Sequence, residues 1–288
     1  MTDSSTAVSF PPRSYLYVPA SDAHKISKGL ASQADMVVLD LEDSVAPRDR
    51  DLAVRQAVQA LSGHDKPMMV RIRSVRSEGA RRDVEALAAL RPEGLRIAKC
   101  EGVDDVRCVV DWLGEAAGRI GLYPIIESAR AVTAVEALAG EPHVRGLCIG
   151  EADLRADLLA TAERVYEAVG IRCVIASRSV GLDGPVQSVY RAIADLEGLR
   201  ESCLAGRGLG FSGRSAIHPD QVHVINEVFT PTRHEVQWAE SVLSQLSGDS
   251  ESASATGMVG DEFVDPAMLR LAQKRLALAA RYGVVDTY

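Results

Sequence analysis

The 288-residue sequence has no apolar run approaching the ~18–20 residues that a membrane-crossing helix needs, and its mean hydropathy is zero. No membrane span is expected. Met1 to Ser9 is small and polar, without a basic stretch leading into an apolar one, so no secretory signal is expected either. Positive charge is in deficit. The 32 Lys and Arg face 40 Asp and Glu, and a net charge of −8 with a pI near 5.3 argues against a nucleic-acid surface. The five cysteines are odd in number and lack the paired spacing of metal sites. They read as reduced, mostly buried thiols of a cytoplasmic protein.

What the sequence does have is regular alternation of apolar runs and helical patterns. Strands are expected at Ser14–Pro19, Met36–Asp43, Pro67–Arg73, Leu95–Cys100, Ile120–Ile126, Val144–Ile149, Pro185–Tyr190 and Gly210–Ile217. Helices follow each, with Asp22 as the first N-cap, Pro47 opening the second, and a long helix from Leu154 that breaks near Gly170. The run Met36-Val37-Val38-Leu39 is continuously apolar, as a strand buried on both faces should be. Eight strand–helix units fit a (β/α)8 TIM barrel, typically about 250 residues; a doubly wound open sheet is the alternative. The barrel is preferred because Glu42, Arg71, Lys99, Glu127, Asp153 and His218 all fall at or just after strand ends. In a barrel these share one mouth. The expected organisation is a disordered arm over 1–12, a catalytic barrel over 13–230, and a C-terminal helical extension over 231–288. A flexible linker is expected near 247–257 by composition. Asp265-Pro266 makes a good N-cap and N1 for the final helix.

Two stretches carry the chemistry. Pro124-Ile125-Ile126-Glu127 and Leu147-Cys148-Ile149-Gly150-Glu151-Ala152-Asp153 each deliver a carboxylate where strand gives way to helix. Two acids at one end of neighbouring parallel strands suit a hard divalent cation, and Glu127 and Asp153 are read as ligands of Mg²⁺. The alternative is simple helix capping. Glu151 either supports these ligands or offers its backbone N–H to an anion, a substrate-binding role. Glu42 and Asp43 either orient a metal-bound water or a lysine, or simply cap a helix or pair with Arg48 or Arg50. Arg71 and Arg73 point to one face by period-two alternation, with Arg71 read as the deeper, substrate-holding guanidinium and Arg73 as a rim charge. Lys99 is read as a Schiff-base or salt-bridged lysine, and His218 as structural or ligand-touching.

Arg13-Ser14-Tyr15-Leu16-Tyr17-Val18-Pro19, Val38-Leu39-Asp40-Leu41-Glu42-Asp43, Val70-Arg71-Ile72, Pro124-Ile125-Ile126-Glu127-Ser128, Gly150-Glu151-Ala152-Asp153-Leu154, Gly210-Phe211-Ser212-Gly213 and Ile217-His218-Pro219-Asp220-Gln221 occur in that order. Together they resemble the citrate lyase β-subunit-like family, grouped with HpcH/HpaI aldolases and malyl-CoA lyases, over about residues 13 to 282. The resemblance implies a TIM barrel that cleaves or forms a C–C bond beside a CoA thioester with Mg²⁺, releasing a 2-oxo acid. It implies Glu127 and Asp153 as metal ligands, with Glu127 also facing substrate, and Arg71 as the substrate arginine. Glu42 and Asp43 match a catalytic acidic pair. Asp265 matches an acid/base that reaches a neighbouring subunit's site, in what is commonly a homotrimer. Ala98, Arg73, Gln187 and Arg214 depart from the family pattern, and Arg73 and Gln187 bear on which acyl group fits. Two other readings stay open: a subunit acting on an acyl-carrier-protein thioester, and a non-catalytic barrel that binds CoA or a 2-oxo acid.

Overall fold

The computed structural model of the chain describes residues 11–246 and 256–286. Eight parallel strands pair in chain order: β1 (Ser14–Pro19), β2 (Met36–Asp40), β3 (Met68–Ile72), β4 (Gly94–Ile97), β5 (Gly121–Ile126), β6 (Cys148–Ile149), β7 (Val186–Gln187) and β8 (Gly213–Ala216). β8 pairs back onto β1, Ser14 against Arg214 and Leu16 against Ala216, and this closes the expected barrel. Ten helices alternate with the strands: α1 (Ala23–Ala31), α2 (Arg50–Gly63), α3 (Ala80–Ala88), α4 (Val103–Leu113), α5 (Ala129–Thr133), α6 (Val135–Ala139), α7 (Glu151–Leu158), α8 (Glu163–Ser179), α9 (Leu196–Leu209) and α10 (Pro219–Val228). Asp22 caps α1 as expected, accepting from Lys25 N–H at 3.0 Å.

The strands are buried on both faces, which is why their sequences read as unbroken apolar runs. All five residues of β2 are buried. Tyr15, Met36, Val38, Met69, Ala98, Ile125, Cys148 and Val186 form one cluster. The alternate residues, among them Leu16, Val37, Leu39, Val70 and Leu95, are buried on the other face. Each such aliphatic side chain contributes roughly 1.5–3 kcal/mol on leaving water.

Three local expectations are corrected. The break in the long helix falls at residues 159–162, where Leu159 takes φ of 50° and ends α7. Gly170 lies inside α8 instead; a Cβ there would stand 3.0 Å from the Phe211 ring, so the ring packs closely on the glycine. β7 is two residues long because Ser188 turns its hydroxyl to the start of α7, accepting from Glu151 N–H at 3.1 Å. β8 starts at Gly213, since Gly210 is the left-handed cap of α9 at φ 105°.

Pro11–Ile225 forms one compact unit and the chain from Asn226 onward contributes to another. In the latter, α11 (Arg233–Leu246) and α12 (Pro266–Tyr282) enclose Ala239, Val242, Val264 and Ala272. A hairpin of β9 (Gly257–Val259) and β10 (Glu262–Val264) joins them, and Trp238 Nε1 donates to Glu262 at 2.6 Å. The hairpin begins at Gly257, the last residue of the expected linker; residues 247–255 of that linker, and 1–10 of the expected arm, lie outside the described residues. Asp265 caps α12, accepting from Ala267 N–H at 2.9 Å.

Candidate active site

Asp40 and Arg71 are register partners on β2 and β3, so their side chains leave the sheet side by side into the barrel. The result is a bidentate pair: Arg71 Nε donates to Asp40 Oδ1 at 2.7 Å and Nη2 to Oδ2 at 2.8 Å. Asp40 also accepts from the N–H groups of Glu42 and Ser44 at 3.0 and 3.1 Å, and from the Ser44 hydroxyl at 2.5 Å. Burial pushes its carboxyl up, but Arg71 and Ser44 outweigh this and hold it below the ordinary carboxylate value. The remaining nitrogen, Arg71 Nη1, lies 3.3 Å from Glu42 and 3.2 Å from Asp43. Glu42 and Asp43 therefore pair with Arg71 and Lys99.

Lys99 sits in the turn after β4 with φ of 51°. That left-handed conformation accompanies two contacts: its backbone N–H donates to Glu127 Oε1, and its ammonium binds Glu42. The Glu42 carboxylate raises the Lys99 pKa. A salt-bridged ammonium fits this better than a Schiff-base amine, which must be neutral.

Glu127 follows β5 and is buried. Desolvation, then the charges of Asp153 and Glu42 against the opposing N–H of Lys99, push its carboxyl up to about 7. Gly150 packs against it, and a Cβ there would run into Glu127 Oε2. Asp153 is exposed on the first turn of α7 and shares the cavity with Glu127. Five carboxylates (Asp40, Glu42, Asp43, Glu127, Asp153) thus gather around two cations, Arg71 and Lys99. The Glu151 carboxylate accepts from Arg155 at 2.5 Å, and its backbone N–H is taken by Ser188.

The cavity at this mouth has a volume of about 980 Å³. Tyr17, Asp40, Arg71, Glu127, Cys148, Asp153, Ser188, Ser215 and His218 border it, as do Lys25 and Lys28 of α1. Arg73 does not. It leaves β3 at the strand end, pairs with Asp83 at 2.6 Å and donates to Glu78 O at 3.1 Å. Its side chain is 8% exposed against 15% for Arg71, so the expectation that Arg71 is deeper and Arg73 a rim charge is wrong. Gln187 and Arg214 also turn away, both meeting Ser202 on α9. Asp265 belongs to the other compact unit.

Sequence reasoning assigned no role to Asp40, Tyr17 or Arg96. Asp40 gave a usable signal, an acid ending an apolar strand at the same parity as Val38 and Met36. Arg96 gave a weaker one, a guanidinium in the middle of a strand.

A family profile for HpcH/HpaI aldolase/citrate lyase matches residues 13–219. The (3S)-malyl-CoA thioesterase of Cereibacter sphaeroides (strain ATCC 17025 / ATH 2.4.3) is 30% identical over 276 residues, covering 93% of this chain and 95% of that protein. The mitochondrial citramalyl-CoA lyase of Mus musculus is 30% identical over 293 residues, covering 93% and 86%. Among solved structures, protein CitE from Mycobacterium tuberculosis in complex with magnesium, acetoacetate and coenzyme A matches with a TM-score of 0.78 at 26% identity, covering 93% of this chain and 98% of that one.

Proposed function

We propose that this chain, which belongs to the HpcH/HpaI aldolase/citrate lyase family and is a carbon–carbon lyase of that type, cleaves or forms a 3-hydroxyacyl-CoA ester of the citramalyl-CoA or malyl-CoA class. The observation that carries the reading is the charge balance at the barrel mouth. Asp40, Glu42 and Asp43 take up Arg71 and Lys99, while burial first, and then the charges of Asp153 and Glu42, push Glu127 toward neutrality. Such a site fits a divalent cation, with Glu127 and Asp153 as its ligands and Mg²⁺ as the ion. Among the described residues no group of three His, Cys, Asp or Glu forms a ready-made cage. Mg²⁺ bound through one or two carboxylates plus substrate and water needs none. The bound ion supplies Lewis-acid charge to the substrate's oxygens.

The chain's own residues do the rest. Asp40 locks Arg71, which keeps its Nη1 edge for the substrate carboxylate. Its present neighbours there are Glu42 and Asp43; Asp43 is half-exposed and borders the cavity, so it is the one that a substrate carboxylate replaces. Lys25 and Lys28 offer cations to the CoA phosphates at the α1 side of the cavity. Ile125 and Cys148 give the acyl chain an apolar floor. The acidic pair Glu42–Asp43, of which Asp43 borders the cavity, takes the proton of the 3-hydroxyl. The C–C bond then breaks, its electron pair passes to the thioester as an enolate, and the former hydroxyl carbon becomes the carbonyl of the 2-oxo acid. Asp265 of a neighbouring subunit in a homotrimer returns a proton to the enolate carbon.

The test is mass spectrometry of products from a panel of malyl-, methylmalyl-, citramalyl- and citryl-CoA with the purified chain and Mg²⁺. The expected result is a 2-oxo acid with a shorter acyl-CoA, abolished by excess chelator. Free CoA without a 2-oxo acid would mean thioester hydrolysis and refute the reading, as would full activity in chelator or cleavage of acyl-carrier thioesters only.

A further inference from the structure

Arg96 is the largest fully buried side chain of the described chain. It lies on the inner face of β4, beside Arg71 in register. Its Nη1 donates to Tyr17 Oη at 2.9 Å and to Ser215 Oγ at 3.0 Å. Its guanidinium carbon is 4.4 Å from the Tyr15 ring centroid and 5.2 Å from that of Tyr17. Nε and Nη2 are buried without a hydrogen-bond partner. Arg71 is countered by three carboxylates; the partners of Arg96 are a phenol, a hydroxyl and two rings. An uncompensated buried cation is costly, and it fits where negative charge forms during reaction.

The side chain between Arg96 and the cavity is Tyr17. It borders the cavity with Ser215 and Cys148, and Arg71 also stacks on its ring at 5.0 Å. Because its oxygen accepts from Arg96, its own hydrogen points elsewhere. Among the described residues no acceptor engages it. Burial outweighs the two guanidiniums and keeps the phenol above its ordinary pKa, hence protonated at neutral pH. A hydrogen bond accepted from a cation makes the phenol a stronger donor in turn.

We propose that the Tyr17 hydroxyl donates to the thioester oxygen on which the enolate charge collects, and that Arg96 is the positioning residue that fixes and strengthens that donor. The inference rests on the CoA-ester reading above. The acid end of the substrate takes the charged partners, Arg71 and the cation that Glu127 and Asp153 would hold. The thioester oxygen is neutral in the substrate and charged only as the C–C bond breaks. A neutral donor on an apolar floor, backed by a cation, favours that oxygen in its charged state over its neutral one.

The test uses the full chain with Mg²⁺ and two probes: acetyl-CoA, whose thioester oxygen is neutral, and carboxymethyl-CoA, whose carboxylate mimics the enolate. Tyr17→Phe keeps the ring and removes only the hydroxyl. It should weaken carboxymethyl-CoA binding by about tenfold or more and leave acetyl-CoA within about twofold. It should also lower kcat by about 10²–10³-fold with KM little changed, the usual loss for one oxyanion donor. Arg96→Lys should lower kcat in the wild-type background and add little in the Tyr17→Phe background, a non-additivity that a merely structural role would not produce. Arg96→Gln, checked by melting, is the second variant should the lysine repack. Wild-type kcat and mimic affinity in Tyr17→Phe, or additive effects of Tyr17 and Arg96 changes, would overturn the inference alone. Failure of the wild-type chain to bind either probe would overturn the CoA reading and this inference together.

Discussion

Asp40→Asn tests how Arg71 is held. Asp40 is 2% exposed and accepts from Arg71 twice, from two backbone N–H groups and from the Ser44 hydroxyl. Asparagine keeps the shape and one acceptor oxygen. Its NH₂ must face either Arg71 Nε and the Glu42 N–H or Arg71 Nη2 and Ser44, so a donor meets a donor. Removing one partner of a buried ion pair costs about 3–5 kcal/mol. Glu42 and Asp43, at 3.3 and 3.2 Å, remain to counter the guanidinium, which puts the expected loss near the lower end, about 3 kcal/mol. Asp43→Asn, with its carboxylate 52% exposed, should cost only ~0–1 kcal/mol. Urea unfolding at pH 7 separates the two, as a shift of midpoint at constant slope. A displaced Arg71 should also lower kcat/KM by about 10²-fold. Asp40 has a depressed folded pKa, so its stabilisation is present above the unfolded value and is lost as pH falls through the folded one. The gap between wild type and Asp40→Asn should therefore hold down to about pH 4 and close only below it. A cost under about 1 kcal/mol at pH 7, or an equal cost for Asp43→Asn, would show that the outer acids hold Arg71.

Asp153→Ala should abolish measurable Mg²⁺ binding by calorimetry while unfolding like wild type, because the residue is exposed and carries no core packing; unchanged affinity removes it from the ligand set. Glu127 has a raised pKa, so in chelator its ionisation destabilises the fold as pH climbs from the ordinary glutamate value to about 7, and the effect levels off above that. Metal-free stability should fall by about 3 kcal/mol across that window, and Glu127→Gln should flatten the profile. Asp265→Asn keeps a good helix cap and should melt normally with a large fall in kcat. Mixing Asp265→Asn with Asp153→Ala protomers should restore part of the activity; if exchange is demonstrated and none returns, Asp265 does not act across subunits.

The barrel was legible because its cause is local. An apolar run of strand length followed by a helical pattern, repeated eight times, has few ways to bury both kinds of surface. The strand-end positions of Glu42, Lys99, Glu127 and Asp153 followed from the same alternation. Period two also grouped Arg71 with Arg73, and there it failed: β3 ends at Ile72, and beyond a strand's end alternation no longer directs a side chain. Arg73 instead found Asp83, and Gln187 and Arg214 found α9.

The elements, their order and several of the residues at the barrel mouth are written into local patterns, because propensity and periodicity act over a few neighbouring residues. Which side chains touch there is a matter of the packed chain. Asp40 meets Arg71 across 31 positions through strand register, and Arg96 meets Ser215 across 119 positions through the closed barrel. The displaced pKa of Glu127 likewise comes from burial beside Asp153 and Glu42. These are through-space properties, set by which strands pair and which groups lose water together.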